Sequence, residues 1–361
     1  MSHFLLNILR GCVRIHTKTQ IIFLKLVKKE YREFMMTEVC KSISDRKYDV
    51  YYRLVPKDIV PEPFDRKVHI KKYAIVLQGP IRVEEDFTLK TVMYYRNMYP
   101  EAVIIVSTWK DEAEDVVEKI RETGTQVILC EKPEQGGHLN INFQLTNSLA
   151  GIQKAKELGV EYVLKTRTDQ CLYKEYIFEY FQNLIGMFPV NDNSVQKSRI
   201  IALSMNYGNM FYPYFLSDFM YFGAVEDMIK LLSVPKDTRT RFSMPPGATR
   251  RDFAKMLYAP EVYIIVNYLR SLGHECDFSV KDHWDIIKKY FICVDRKTVG
   301  LVWPKYEGKY KEHCFFGDYF MDNNEKLLKT RNFDFVNWFN LYSGSLVYEE
   351  AYETYADVEF K

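Results

Sequence analysis

Between residues 73 and 169 one pattern repeats: a short apolar run, a polar break, then a stretch with helical spacing. "YAIVLQGPI" (Tyr73–Ile81) is apolar and stops at Gly79 and Pro80, which predicts a buried strand with a sharp turn at its carboxyl end. "DFTLKTVMYYRNMYP" predicts a helix, with Thr88 as its N-cap and Pro100 beyond its end. "AVIIVSTW" (Ala102–Trp109) reads as a second strand. "DEAEDVVEKIRETG" reads as a helix whose acidic first turn and closing Gly124 suit the helix dipole and the C-cap. "TQVILCEKP", "NINFQLTNSLAGIQKAKELG" and "EYVLKTRTD" add a strand, a helix and a fourth strand.

Strands that are apolar throughout and alternate with helices are those of a parallel sheet covered on both faces. The predicted class is α/β, a Rossmann-type, mostly parallel sheet. Ligands of such sheets bind beyond the carboxyl ends of the strands. There the sequence gathers Gln78, Gly79 and Pro80, then Ser107, Thr108 and Trp109, then Glu131 to Pro133, and finally Lys165, Arg167 and Asp169. The second half is less regular. "IIALSMNYG" reads as a strand, "FLSDFMYFGAVEDMIKLL" as a strand or turn entering a helix, and "PEVYIIVNYLRSLG" as a helix from Pro260 to Gly273.

Three regions follow: a basic helical extension with a proline-containing connector (1–71), a catalytic domain (72–295) and an aromatic, acidic region (296–361). The N-terminal stretch carries Arg10, Arg14, Lys18, Lys25, Lys28, Lys29 and Arg32 against Glu30 and Glu33. Its apolar runs are too short to span a bilayer, and no signal-peptide core is legible. It is read either as a basic helix in peripheral contact with an anionic membrane face or as a helix packed on the catalytic domain. The expected location is cytoplasmic, peripheral on the inner face of the membrane in the first case.

A net charge of +2 gives no general affinity for nucleic acid. The 7 cysteines are scattered without a C-x-x-C pair, which predicts reduced, mostly buried thiols. Dinucleotide, P-loop, nucleophile-elbow and H-E-x-x-H motifs are all missing.

The remaining candidates are polar residues in strand-end or helix-start positions. A carboxylate such as Asp169, just past the fourth strand, suits Mn2+ or Mg2+ bridging a nucleotide diphosphate, where the ion offsets charge on the leaving group. Arg167 would do part of that work as a bidentate cation. Read alone, an Asp after a strand is more often a turn former or helix cap. Asn140 and Gln144 would face a ligand at a helix start, although Asn140 and Asn142 equally suit capping. Ser217 and Asp218 lie in an apolar run, where a buried carboxylate needs a partner or a purpose. Glu261 in the first turn of a helix is favoured by the dipole, and also suits a general base for an acceptor hydroxyl. His274, His283 and His313 are candidate metal ligands or bases, although each read alone is more often structural. Trp109, Tyr207 and Tyr212 offer rings for stacking on a base or a sugar.

"IVLQGPI", "TVMYYRNMYPEAVIIVSTWKDE", "NINFQLTNSLAGIQKAKELGVEYVLKTRTDQ" and "FLSDFMYFG" together resemble the WavE lipopolysaccharide-synthesis family, whose members look like glycosyltransferases of the GT-A type. The resemblance runs from Ile75 to Gly223. It implies a GT-A-like fold and sugar transfer from a nucleotide-activated donor to a surface-glycan or lipid-linked acceptor. Carried over residue by residue, it covers Gln78, Gly79, Pro80, Ser107, Thr108, Trp109, Asn140, Gln144, Lys165, Arg167, Asp169, Ser217 and Asp218. Arg167-Thr168-Asp169 stands where the wider type has Asp-x-Asp, which puts metal dependence in question. Glu261 as base comes from its position, not from the resemblance. The competing readings are a sugar-phosphate nucleotidyltransferase and a non-catalytic, membrane-associated scaffold that keeps the fold.

Overall fold

The structure, a computed structural model, describes residues 29–44, 71–191, 194–204, 209–303, 319–321, 327–329 and 331–360. The chain divides into two units, Met1–Ile59 and Val60–Lys361. In the first, the described part is helix α1 (Lys29–Ile43), with Tyr31 and Phe34 exposed. The basic stretch before it and the connector after residue 44 lie outside the described residues, as do Tyr207 and His313.

In the second unit the expected alternation is present: β1 (Tyr73–Gln78), α2 (Phe87–Met98), β2 (Val103–Trp109), α3 (Glu114–Arg121), β3 (Gln126–Cys130), α4 (Ile141–Glu157) and β4 (Tyr162–Arg167). A two-residue β5 (Cys171–Leu172), α5 (Ile177–Met187), β6 (Ile200–Ser204), β7 (Ser217–Ala224) and α6 (Val225–Leu232) follow. Then come α7 (Arg250–Lys255), α8 (Pro260–Ser271), α9 (Val280–Tyr290), β8 (Phe291–Asp295), α10 (Arg296–Val299) and β9 (Leu301–Val302). A small hairpin, β10 (Tyr319–Met321) with β11 (Leu327–Lys329), and α11 (Phe335–Ser343) follow, and a short 3-10 helix (Glu350–Tyr355) lies beyond them.

The main sheet has seven strands in the order β3-β2-β1-β4-β7-β6-β8. β1 pairs in parallel with β2 and β4, β2 with β3, and β6 with β8, while β7 runs antiparallel to both its neighbours. The fold is therefore a mostly parallel α/β sheet with helices on both faces. β1 is buried at every position, which is why it reads as an unbroken apolar run. Gly151 lets α4 lie close on the sheet: a Cβ there would stand 2.4 Å from Val76 Cγ1 and 3.2 Å from Ser107 Cβ.

The order in which strands are added reverses between β1 and β4. From β1 the chain steps outward to β2 and β3, then returns through α4 to the far side of β1. That reversal is the switch point where open α/β sheets bind ligands. The antiparallel ladder between β4 and β7 stops at Lys165 opposite Tyr221. On its other side β7 shifts register: Ala202 faces Tyr221 while Leu203 faces Ser217. Asp218, Phe219 and Met220 thus bulge out of the ladder beside the end of β4. Bulges of this kind re-aim side chains next to sites.

Local chemistry departs from expectation at two helix starts. Thr88 does not cap α2. Its hydroxyl accepts the N–H of Arg82 at 2.8 Å and donates to the Thr168 carbonyl at 2.9 Å, tying the β1 turn to the β4 turn. Neither asparagine caps α4 through its side chain. Asn142 instead donates to the carbonyls of Gln135 and Asp237 and accepts the Asp237 N–H, so it fastens a long loop. The five described cysteines are free thiols.

Candidate functional site at the carboxyl edge of the sheet

Two turns form the floor of this edge. After β1 the chain turns at Gly79, whose φ of +113° is one that residues with a Cβ rarely adopt; a Cβ there would also stand 3.3 Å from Thr168 Oγ1. The Gly79 N–H donates to the Ser107 carbonyl at 3.0 Å. After β4, Thr168 donates its N–H to the Gln78 carbonyl at 3.1 Å and its hydroxyl to the Pro80 carbonyl at 2.6 Å. Glu112 joins the second strand to this set, accepting from Thr108 Oγ1 at 2.7 Å and from the Ile81 N–H at 2.9 Å. Ser107 is fully buried, with its hydroxyl 3.6 Å from Cys130 Sγ.

The charged residues stand over these turns. Arg167 grips Asp169 with both edges of its fork, Nε to Oδ1 at 2.9 Å and Nη2 to Oδ2 at 3.2 Å. Lys165, expected beside phosphate, is fully buried, and its ammonium donates to the main-chain carbonyl that the bulge exposes at Asp218. Burial pulls the Lys165 pKa down to about 8, with Arg167 adding to the fall and the carboxylates of Asp218, Glu261 and Asp169 opposing it. The Asp218 carboxylate, also buried, accepts from Gln144 Nε2 at 2.6 Å.

Glu261 enters from the first turn of α8. Burial, then the Asp218 charge, raises its pKa to about 8, while its own N–H, Lys165 and Arg167 pull the other way. Two carboxylates and two cations therefore share one electrostatic environment. A carboxyl that favours its proton near neutrality is suited to taking and returning one.

Asn140 is exposed at the start of α4 and takes no part in this cluster, whereas Gln144 one turn on does. Trp109 is buried, with Phe143 edge-on at 5.6 Å and the Lys132 ammonium 5.9 Å from its ring. Tyr212 is buried and stacked on Phe215 at 4.9 Å, so its ring is core rather than a stacking platform. His283 is also a core residue: Nδ1 accepts the Tyr214 N–H, Nε2 donates to the Asn209 carbonyl at 2.6 Å, and burial pulls its pKa down to about 4. His274 pairs with Asp282 at 2.9 Å.

Trp303 joins the site with no motif to announce it. β9 pairs antiparallel with β5, Cys171 opposite Val302, which delivers the next residue, Trp303, to the turn after β4. Its ring centroid lies 5.2 Å from the Arg167 guanidinium and 4.4 Å from the Phe219 ring. A lone tryptophan before "PKYEGKY" gives no signal in sequence; only the pairing of two dipeptide strands reveals it.

The donor set does not complete a divalent-cation site. Both Asp169 oxygens accept from Arg167, and among the described residues no three His, Cys, Asp or Glu gather for a metal. Among the described residues no helix is long and apolar enough to cross a membrane.

The class is thus an α/β protein whose polar and charged groups converge at the topological switch point of a mostly parallel sheet. The WavE lipopolysaccharide synthesis family matches residues 73–356, and the chain belongs to that family. Membership carries a transferase role in lipopolysaccharide synthesis. Among solved structures, the chain is similar to a cytidylyltransferase from Leptospira borgpetersenii serovar Hardjo-bovis (strain JB197). The identity is 14% and the TM-score 0.30, over 61% of this chain and 95% of that one. No curated protein matches the sequence.

Proposed function

We propose that the protein transfers a sugar from a nucleotide-activated donor to a surface-glycan or lipid-linked acceptor. The observation that carries this reading is the cluster of Glu261, Asp218, Lys165 and Arg167 at the switch point, in a chain of the WavE family. The donor diphosphate lies across the turns at Gly79–Pro80 and Thr168–Asp169, with Arg167 as its counter-charge. Asp218, held by Gln144, accepts from a hydroxyl of the donor sugar. Ionised Glu261 takes the proton of the acceptor hydroxyl as that oxygen attacks the anomeric carbon. The bond from that carbon to the phosphate oxygen breaks, and the nucleotide leaves with its electron pair. A single displacement of this kind inverts the anomeric carbon, and no step is routed through a metal. Gln78 and Trp109 border the donor, and contact of the basic N-terminus with an anionic membrane surface would bring a lipid-linked acceptor near.

The test is a thermal-shift series with UDP-, GDP- and CMP-type ligands, with and without Mn2+. Nucleotide release from the stabilising donor is then followed in wild type and Glu261→Gln. Stabilisation by one nucleotide class and a loss of about a hundredfold or more in Glu261→Gln turnover are expected. No stabilisation by any nucleotide, or full turnover in the variant, would sink the reading.

A further inference from the structure

We propose that Arg167, Asp169 and Trp303 form one exchangeable anion receptor. Asp169 fills the guanidinium fork until a phosphate displaces it, and Trp303 holds the guanidinium plane throughout. The inference rests on reading this edge as the donor site, and it gives Asp169 a role opposite to that of a metal ligand.

Arg167 presents Nε and Nη2 together, the side-on edge that receives phosphate in a bidentate manner. Asp169 already places two anionic oxygens there, in the arrangement that two phosphate oxygens would take. It comes from the same turn, two residues on, so rotation of its own side chain vacates the fork without moving the backbone. The Arg167 and Asp169 side chains are 24% and 15% exposed, so the pair is not sealed from solvent.

Trp303 acts on a different part of the same cation. It meets the guanidinium at 5.2 Å from the ring centroid, so this contact competes with neither carboxylate nor phosphate for the fork. Phe219, within the bulge that frees the Asp218 carbonyl, packs edge-on against Trp303 at 4.4 Å and fixes the ring from another direction. Lys165 donates to the Asp218 carbonyl, which leaves Arg167 as the cation that turns toward the ligand edge. Trp303 is therefore a positioning residue. Its part is to keep the fork aimed while the anionic partner changes.

The exchange makes a signed prediction. Asp169→Asn keeps the shape of the turn but removes the competing charge, so anion binding becomes tighter. A metal ligand at this position would instead give weaker binding in Asp169→Asn once Mn2+ is added to the titration. The probe is inorganic pyrophosphate, titrated calorimetrically into the full chain without divalent ions at neutral pH. Asp169→Asn should bind about fivefold tighter than wild type, the factor that corresponds to a partly exposed ion pair. Arg167→Gln should lose binding. Trp303→Leu should bind about threefold to tenfold more weakly, with Trp303→Phe restoring most of the loss. A melt of each variant checks that it is folded, and a gain in Asp169→Asn cannot come from misfolding.

Unchanged or weaker binding in Asp169→Asn, equal weakness in Trp303→Leu and Trp303→Phe, or no pyrophosphate binding by wild type would overturn the receptor. The same titration with nucleoside diphosphates separates the two claims. Pyrophosphate binding without nucleotide binding keeps the receptor and removes the donor reading. Nucleotide binding that none of the three positions affects keeps the donor reading and removes the receptor.

Discussion

Arg239 and Asp237 form the same forked pair as Arg167 and Asp169, with Nε and Nη2 on the two carboxylate oxygens at 2.8 and 3.0 Å. Their surroundings differ. Asp237 is 2% exposed and also accepts the N–H groups of His138 and Arg239. Arg239 also donates to the carbonyls of Met256 and Leu257. Burial alone would lift the Asp237 carboxyl, but these hydrogen bonds outweigh it and hold the group below the usual carboxylate range. The arrangement is a clasp that fixes the loop after α6 to the start of α4. Arg167 lies over the Trp303 ring, and its partner Asp169 keeps 15% exposure where Asp237 keeps 2%. The pair whose carboxylate is sealed is built to stay closed, whereas the pair whose carboxylate keeps some exposure is suited to exchange.

The largest expected effect separates the two pairs by stability. Arg239→Ala leaves a buried carboxylate unpaired and should cost about 3 kcal/mol or more in urea unfolding. Arg167→Ala should stay within about 1 kcal/mol of wild type in the same experiment. Equal losses would erase the distinction.

Binding should divide them the other way. Arg167→Ala should weaken donor affinity by a factor that corresponds to about 2 kcal/mol, the scale of a charged hydrogen bond, as measured by calorimetry. An Arg239→Lys variant that remains folded should bind as wild type. Donor loss in that variant would mean that the clasp also serves the site.

Acidity gives a third and smaller contrast, because Asp237 and Glu261 respond to pH with opposite signs. Asp237 has a lowered folded pKa, so its contribution is present above its unfolded value of 3.8 and fades as pH falls through the folded one. Glu261 has a raised folded pKa, so the fold binds its proton more readily than the unfolded chain does. Stability is then lost as pH rises from 4.5 to about 8. Glu261→Gln should flatten that decline and melt about 2 °C above wild type near pH 8, with little gain near pH 5. A parallel pH dependence in both proteins would show that Glu261 is not the group responsible. The smallest effect belongs to Gln144→Ala, which removes the 2.6 Å bond to Asp218 and should cost about 1 kcal/mol in urea unfolding. No change at all would mean that water replaces Gln144 without loss.

Much of the first half was legible because parallel strands are buried on both faces, and "YAIVL" and "VIIV" show that burial directly. β8 was not. Its five residues follow α9 with no turn residue between them, so "DIIKKYFICVD" offers no punctuation. The same limit applied at the site. Arg167, Asp169 and Asp218 could be singled out as charges in apolar context. Thr88 looked like a cap because a hydroxyl at a helix start has that local use, and its bond to Thr168, eighty residues away, has no local trace. Lys165 looked like a phosphate ligand until the bulge in β7 supplied a carbonyl for it.

The position of β7 beside β4 bears on how the chain comes off the ribosome. β1 to β4, and with them Gly79, Arg167 and Asp169, are synthesised first. Asp218, Glu261 and Trp303 come from segments made later, which then add β7 to an edge that is already in place. A chain interrupted between these stages would have the turns proposed to cradle an anion and neither Asp218 nor Glu261, the carboxylates proposed for the chemistry. On the reading proposed above, such a fragment would lack both the groups that turn ligand over and the ring that aims Arg167, so the segments made last complete binding as well as turnover.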